Sequence, residues 1–92
     1  MSSSFDNPHY TRFHLRATAA PDVLPRCLDL LAKRNMVPAY WHSEITAAQM
    51  LDIEFHLDDT DAHMESYLAE CLRRIINVET VVTSRAVARR QA

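Results

Sequence analysis

The side chains with chemistry to offer are spread thinly: five histidines, two cysteines, twelve acidic residues, and no glycine anywhere in 92 residues. Phosphate and nucleotide loops depend on glycine's small size and free backbone, so that class of site is ruled out. His9, His14, His42, His56 and His63 follow no zinc-motif spacing. Asp58, Asp59 and Asp61 lack the oxygen-rich calcium pattern and its required glycine, and they read as turn and helix-start residues. His42-Ser43-Glu44 is a local run, not a nucleophile triad, and it lacks a partner placed to activate the serine. Cys27 and Cys71 fall on the apolar faces of proposed helices, as buried free thiols do, rather than forming a disulfide framework or a reactive pair. Neither metal nor cofactor is expected. An enzyme would have to work through His42, Ser43 or a His14/His56 face, and no convincing constellation supports one.

The chain length suits one domain, which at this size buries only about 60–65% of the surface exposed on unfolding. Its core is small, and self-association would supplement it. The formal charge of −2 does not give the broad positive surface of a nucleic-acid binder. Residues 1–9 read as a flexible polar lead-in rather than a signal peptide, and residues 85–92 as a basic tail carrying Arg85, Arg89 and Arg90, which are candidate partner contacts. No segment approaches the roughly 20 apolar residues of a membrane span, so a cytoplasmic protein is expected.

Residues 10–84 hold the elements that must position any site. Tyr10 to Thr18 alternate, with Phe13, Leu15 and Ala17 on one face and Arg12, His14 and Arg16 on the other, which predicts a half-buried strand. Pro21-Asp22 opens a helix, where Asp22 is expected to accept from first-turn amides. Val23, Leu24, Cys27, Leu28 and Leu31 recur at helical spacing to about Arg34, and Asn35 is the best left-handed cap available without glycine. Val37 to Ile45 reads as a second strand, with Pro38 tolerated near its start or on a sheet edge. After a turn at 46–48, Leu51, Ile53, Phe55 and Leu57 alternate with Asp52, Glu54 and His56. A second helix carries Met64, Leu68, Cys71, Leu72 and Ile75 inward with Tyr67 beside them, and Val78 to Thr83 closes the domain as a strand centred on Val81.

The order βαββαβ predicts an α+β, ferredoxin-like two-layer sandwich with both helices on one face of a four-stranded antiparallel sheet. Right-handed crossovers place the first strand between the third and fourth. Arg12, His14 and Arg16 then face Asp52, Glu54 and His56 across the open side. An RNA-binding sheet would need exposed aromatics there, and Phe13 is better explained as core.

The element order, with Pro21-Asp22-Val23-Leu24-Pro25-Arg26, the Asn35-Met36-Val37 junction and the run from Leu51 to Leu57, resembles an ACT domain, especially the small subunit of acetolactate synthase, over residues 11–84. The resemblance implies a non-catalytic regulatory subunit in branched-chain amino-acid biosynthesis. Its partner would be the thiamine-diphosphate-dependent large subunit, and it would pair with itself through sheet edges. It also implies an effector site near Ala20, Pro21, Asp22 and Val23, with Asn35 and Val37 at the adjoining junction. Many effector-binding members have Pro-Gly where this chain has Pro21-Asp22. That change puts bulk and negative charge where an effector's carboxylate would sit, so amino-acid feedback is doubtful and action by contact is favoured. The alternative is a stand-alone ACT-like homodimer that senses a small metabolite or organises another enzyme.

Overall fold

The computed structural model describes residues 9–87. Six elements follow in the expected order: β1 (His9–Thr18), α1 (Val23–Ala32), β2 (Tyr40–Ile45), β3 (Met50–Asp58), α2 (Ala62–Arg73) and β4 (Val78–Val87). The sheet is antiparallel in the order β2-β3-β1-β4, so β1 lies between β3 and β4 as right-handed crossovers require.

Strand alternation decides what is buried. Phe13, Leu15 and Ala17 from β1 and Ile53, Phe55 and Leu57 from β3 turn toward the helices and are shut off from solvent. Phe13 stands opposite Phe55 with ring centroids 4.9 Å apart, and Trp41 on β2 stacks on the same Phe55 at 5.1 Å. From the helices, Val23, Cys27 and Leu31 come down at four-residue spacing, joined by Leu68 and Leu72. Leu28, expected on the inward face of α1, is 44% exposed, and Tyr67, expected beside the inward residues of α2, is 43% exposed.

Without glycine, the turns use other residues in the left-handed region: among the described residues Asn35, Gln49, Asp59 and Asn77 have φ of 58°, 64°, 56° and 81°. Asn35 accordingly ends the turn after α1. Asn tolerates this backbone better than most side chains because its short amide bonds locally.

Several boundaries differ from the sequence reading: β1 begins at His9 rather than Tyr10, α1 ends at Ala32 rather than about Arg34, and α2 ends at Arg73, before Ile75. β2 begins at Tyr40 rather than Val37, since Pro38 cannot donate to a ladder. β4 runs to Val87, beyond the expected strand end at Thr83 and domain end at Ser84, so Arg85 lies in a strand opposite Thr11 and not in a tail. The extension is fastened by Glu65 of α2, which accepts from Thr83 Oγ1 at 2.6 Å and from Arg85 Nη2 at 3.1 Å. Arg89 and Arg90 lie outside the described residues.

Candidate functional site

β1 leaves the sheet at Thr18, whose amide donates to the Asn77 carbonyl at 2.8 Å, and Ala19 N–H reaches the Gln49 carbonyl at 3.3 Å. These bonds pin the loop that enters α1. Beneath it lies a hollow of about 340 Å³ lined by Ala19, Ala20, Pro21, Leu24, Ile45 and Leu51, with no charged side chain in its lining. Of the expected effector-site residues, Ala20 and Pro21 line this hollow.

Asp22 and Val23 do not join them. Val23 is fully buried in the core. Asp22 has φ −92° and ψ −3° and its carboxylate makes no capping bond. It turns instead to Arg26 Nε at 2.8 Å. That bond, then its own backbone N–H, holds the carboxyl below the usual carboxylate range. The expectation that Asp22 satisfies the first-turn amides is therefore corrected, and the reason is local. A capping side chain bonds the second or third helical N–H, but the third position of α1 is Pro25, which has none. Val23 N–H is already taken by the Ala20 carbonyl at 3.3 Å, so of the first three helical residues only Leu24 has an amide to offer. α2 shows the contrast. Asp61, with extended ψ 173°, accepts from Met64 N–H at 2.8 Å.

Asn35 and Val37 are at the opposite end of α1. They line a separate hollow of about 220 Å³ with Met36, Leu57, Asp58 and Thr60. Ten helical residues, a rise of about 15 Å, stand between this hollow and the first. The six candidate residues therefore do not form one site within a single chain.

The open sheet face realises the predicted register, with Arg12, His14 and Arg16 opposite His56, Glu54 and Asp52. His14 Nε2 is 2.9 Å from Asp52, His56 Nε2 is 2.8 Å from Glu54, and Arg12 Nε is 3.5 Å from the same Glu54 carboxylate. His42 lies 3.1 Å from Glu44. The imidazoles are thus spent on separate carboxylates, and among the described residues no group of three potential ligands converges on a metal position. Strand alternation also puts His42 and Ser43 on opposite faces of β2, which removes that pair as a nucleophile and base. Tyr10, His56 and Tyr40 form a stack with successive centroids 4.6 and 4.5 Å apart. Sequence reading missed this stack, which the register of three strands creates. His56, the middle ring, has both faces covered by the two tyrosines. Cys27 is buried and free, and burial pushes its thiol up to about 11.

Two helices on one face of a four-stranded β2-β3-β1-β4 sheet, with a hollow under the first strand-to-helix loop, define a ferredoxin-like α+β domain. The chain belongs to the ACT-like domain family, whose sequence profile matches residues 3–90. Solved structures share the fold at low identity. The ACT domain from GTP pyrophosphokinase of Chlorobium tepidum superposes with a TM-score of 0.71 at 9% identity, over 84% of this chain and 99% of that one. An uncharacterized protein of Thermotoga maritima gives 0.63 at 13% identity, over 89% and 99%. The C-terminal domain of the MgtC protein from Mycobacterium tuberculosis gives 0.62 at 13% identity, over 87% of each chain. No curated protein matches the chain.

Proposed function

We propose that this ACT-like domain is a non-catalytic accessory subunit that acts by contact with a catalytic partner, and that the partner is the large subunit of acetolactate synthase. The observation that carries contact over sensing is the β1–α1 junction. Its hollow is lined by apolar side chains, its helix entrance is short of amides, and a carboxylate paired with Arg26 stands beside it. A free amino acid has a carboxylate and an ammonium to satisfy, and this junction offers neither a set of donors for the first nor an acceptor inside the hollow for the second. Pairing with a second copy through the edges at β2 and β4 belongs to the same reading, as does a cytoplasmic location. Ile45, 66% exposed at the end of β2, adds apolar surface at one such edge.

The test is reconstitution of the full chain with the cognate large subunit, measuring acetolactate formation with and without it. The expected result is co-purification with raised activity. Unchanged activity together with no co-purification overturns the proposal. Calorimetric titration with valine, leucine and isoleucine addresses sensing separately, and tight binding of any of them by the wild-type chain would overturn action by contact alone.

The hollow also favours a second reading, a stand-alone homodimer that senses a small metabolite. The ligand would then be predominantly apolar. Saturable binding of such a compound, lost in Ala20→Trp, would distinguish it.

A further inference from the structure

The helical layer carries a trough that neither reading uses. Between α1 and α2 lies an open depression of about 490 Å³ whose floor is Leu30, Cys71 and Ile75. At Cys71 and Arg74 it meets a second depression of about 350 Å³ beside His63, Tyr67 and Glu70, whose carboxylate is held by Arg73 at 3.1 Å, so the two form one continuous furrow along the outer face. Its first part is lined by four cations, Arg26, Lys33, Arg34 and Arg74, against a single carboxylate, Asp29, in a chain whose formal charge is −2.

The cations differ in their commitments. Arg26 is held by Asp22 at 2.8 Å and Lys33 by Asp29 at 3.0 Å. Among the described residues Arg34 and Arg74 have no carboxylate within 4 Å. Arg34 is nevertheless fixed in place. Its Nη1 donates to the Leu30 carbonyl at 3.1 Å, its Nη2 donates to the Tyr67 hydroxyl, and its guanidinium lies 4.9 Å from the Tyr67 ring centroid. A positioned guanidinium without a carboxylate partner, set beside an apolar floor, suits an incoming carboxylate flanked by apolar side chains. Ile76, 71% exposed at the rim, extends the apolar surface.

We infer that this furrow docks an acidic amphipathic segment of a partner protein, with carboxylates on Arg34 and Arg74 and apolar side chains on Leu30, Cys71 and Ile75. The inference rests on the contact reading and assigns that contact to the helical layer rather than to the sheet edges or the chain terminus. A second copy is a poor occupant, because two furrows brought face to face set like charges against each other. A small anion would satisfy the guanidinium groups but leave the floor in water.

The test needs no knowledge of the natural partner, so its failure is separable from failure of reconstitution. The probe is an amphipathic helical peptide of about 16 residues, long enough to run the furrow, with a leucine stripe flanked by glutamates. A counterpart carries glutamine in place of every glutamate. Each is titrated into the isotope-labelled full chain and followed by amide shifts. The expected result is saturable shifts confined to residues 26–34 and 63–76, with affinity lowered about ten-fold or more for the glutamine peptide and for the Arg34→Glu/Arg74→Glu variant. Ile76→Asp, at a surface position that leaves the core intact, is expected to weaken the acidic peptide by a similar factor. It keeps the test decisive if the double variant fails to fold. Equal binding of both peptides, shifts centred on the open sheet face or the β1–α1 hollow, or the same shifts from inorganic phosphate alone would each overturn the inference.

Discussion

Replacing Phe55 by alanine tests the stacked packing that runs across β1, β3 and β2. The ring is fully buried and lies between Phe13 at 4.9 Å, with planes 8° apart, and Trp41 at 5.1 Å, with planes 15° apart. Phenylalanine-to-alanine changes in cores cost about 3–5 kcal/mol, and aromatic pairs contribute roughly 0.5–1.5 kcal/mol each beyond area burial. Because the substitution abolishes both ring stacks, the expected cost is near the top of that range, about 5 kcal/mol. A domain of this length has a total stability of roughly 5–14 kcal/mol, so Phe55→Ala removes a third or more of it. At a urea dependence of roughly 1.5 kcal/mol per molar, the midpoint falls by about 3 M. Trp41 is the sole tryptophan and sits on the edge strand β2, so its emission reports the docking of β2, while far-ultraviolet circular dichroism reports the whole fold. Phe55→Leu, which keeps most of the volume, is expected to cost about 1–2 kcal/mol and supplies a graded point if the alanine variant is unfolded in water. A midpoint lowered by less than about 1 M in Phe55→Ala, with unchanged Trp41 emission, would refute the stacked core.

Two further perturbations bear on the helix entrances and on the buried thiol. Asp61→Ala removes the bond to Met64 N–H and is expected to cost about 1 kcal/mol, whereas Asp22→Ala, which removes no capping bond, is expected to cost clearly less; equal losses in thermal unfolding would contradict the geometry of α1. Burial raises the Cys27 thiol from 9.0 to about 11, so the folded chain keeps a proton that the unfolded chain releases. The corresponding stability is intact below about pH 9 and is lost as pH rises to about 11, by at most about 3 kcal/mol. Cys27→Ala, though less stable at neutral pH, is therefore expected to show a shallower alkaline decline, and an identical slope in urea titrations across that range would count against it.

Much of the frame was legible because it depends on local periodicity. Alternation from Phe13 to Ala17 and from Leu51 to Leu57 selected the buried faces, and the crossover rule then fixed which strands are neighbours. From those two facts the pairing of Arg12, His14 and Arg16 with the acidic strand followed, while the left-handed Asn35 followed from its place after the helix in a chain without glycine. The candidate site was only half legible. Ala20 and Pro21 belong to a hollow completed by Ile45 and Leu51, residues brought to the loop by the hairpin of β2 and β3. No spacing within 20–23 reveals them. Arg85 read as tail because its anchor, Glu65, is twenty positions away on α2.

The sequence by itself determined the elements, their order and the two faces of the sheet, since backbone preference and side-chain alternation act over a few residues. Tertiary structure decided where polar side chains spend their bonds. It gave Glu65 of α2 to Thr83 and Arg85 of β4, brought Ile45 and Leu51 under the β1–α1 loop, and left Arg34 and Arg74 beside an apolar floor between two helices. Such choices depend on which groups distant segments bring within about 3 Å of one another, a quantity that no local pattern carries.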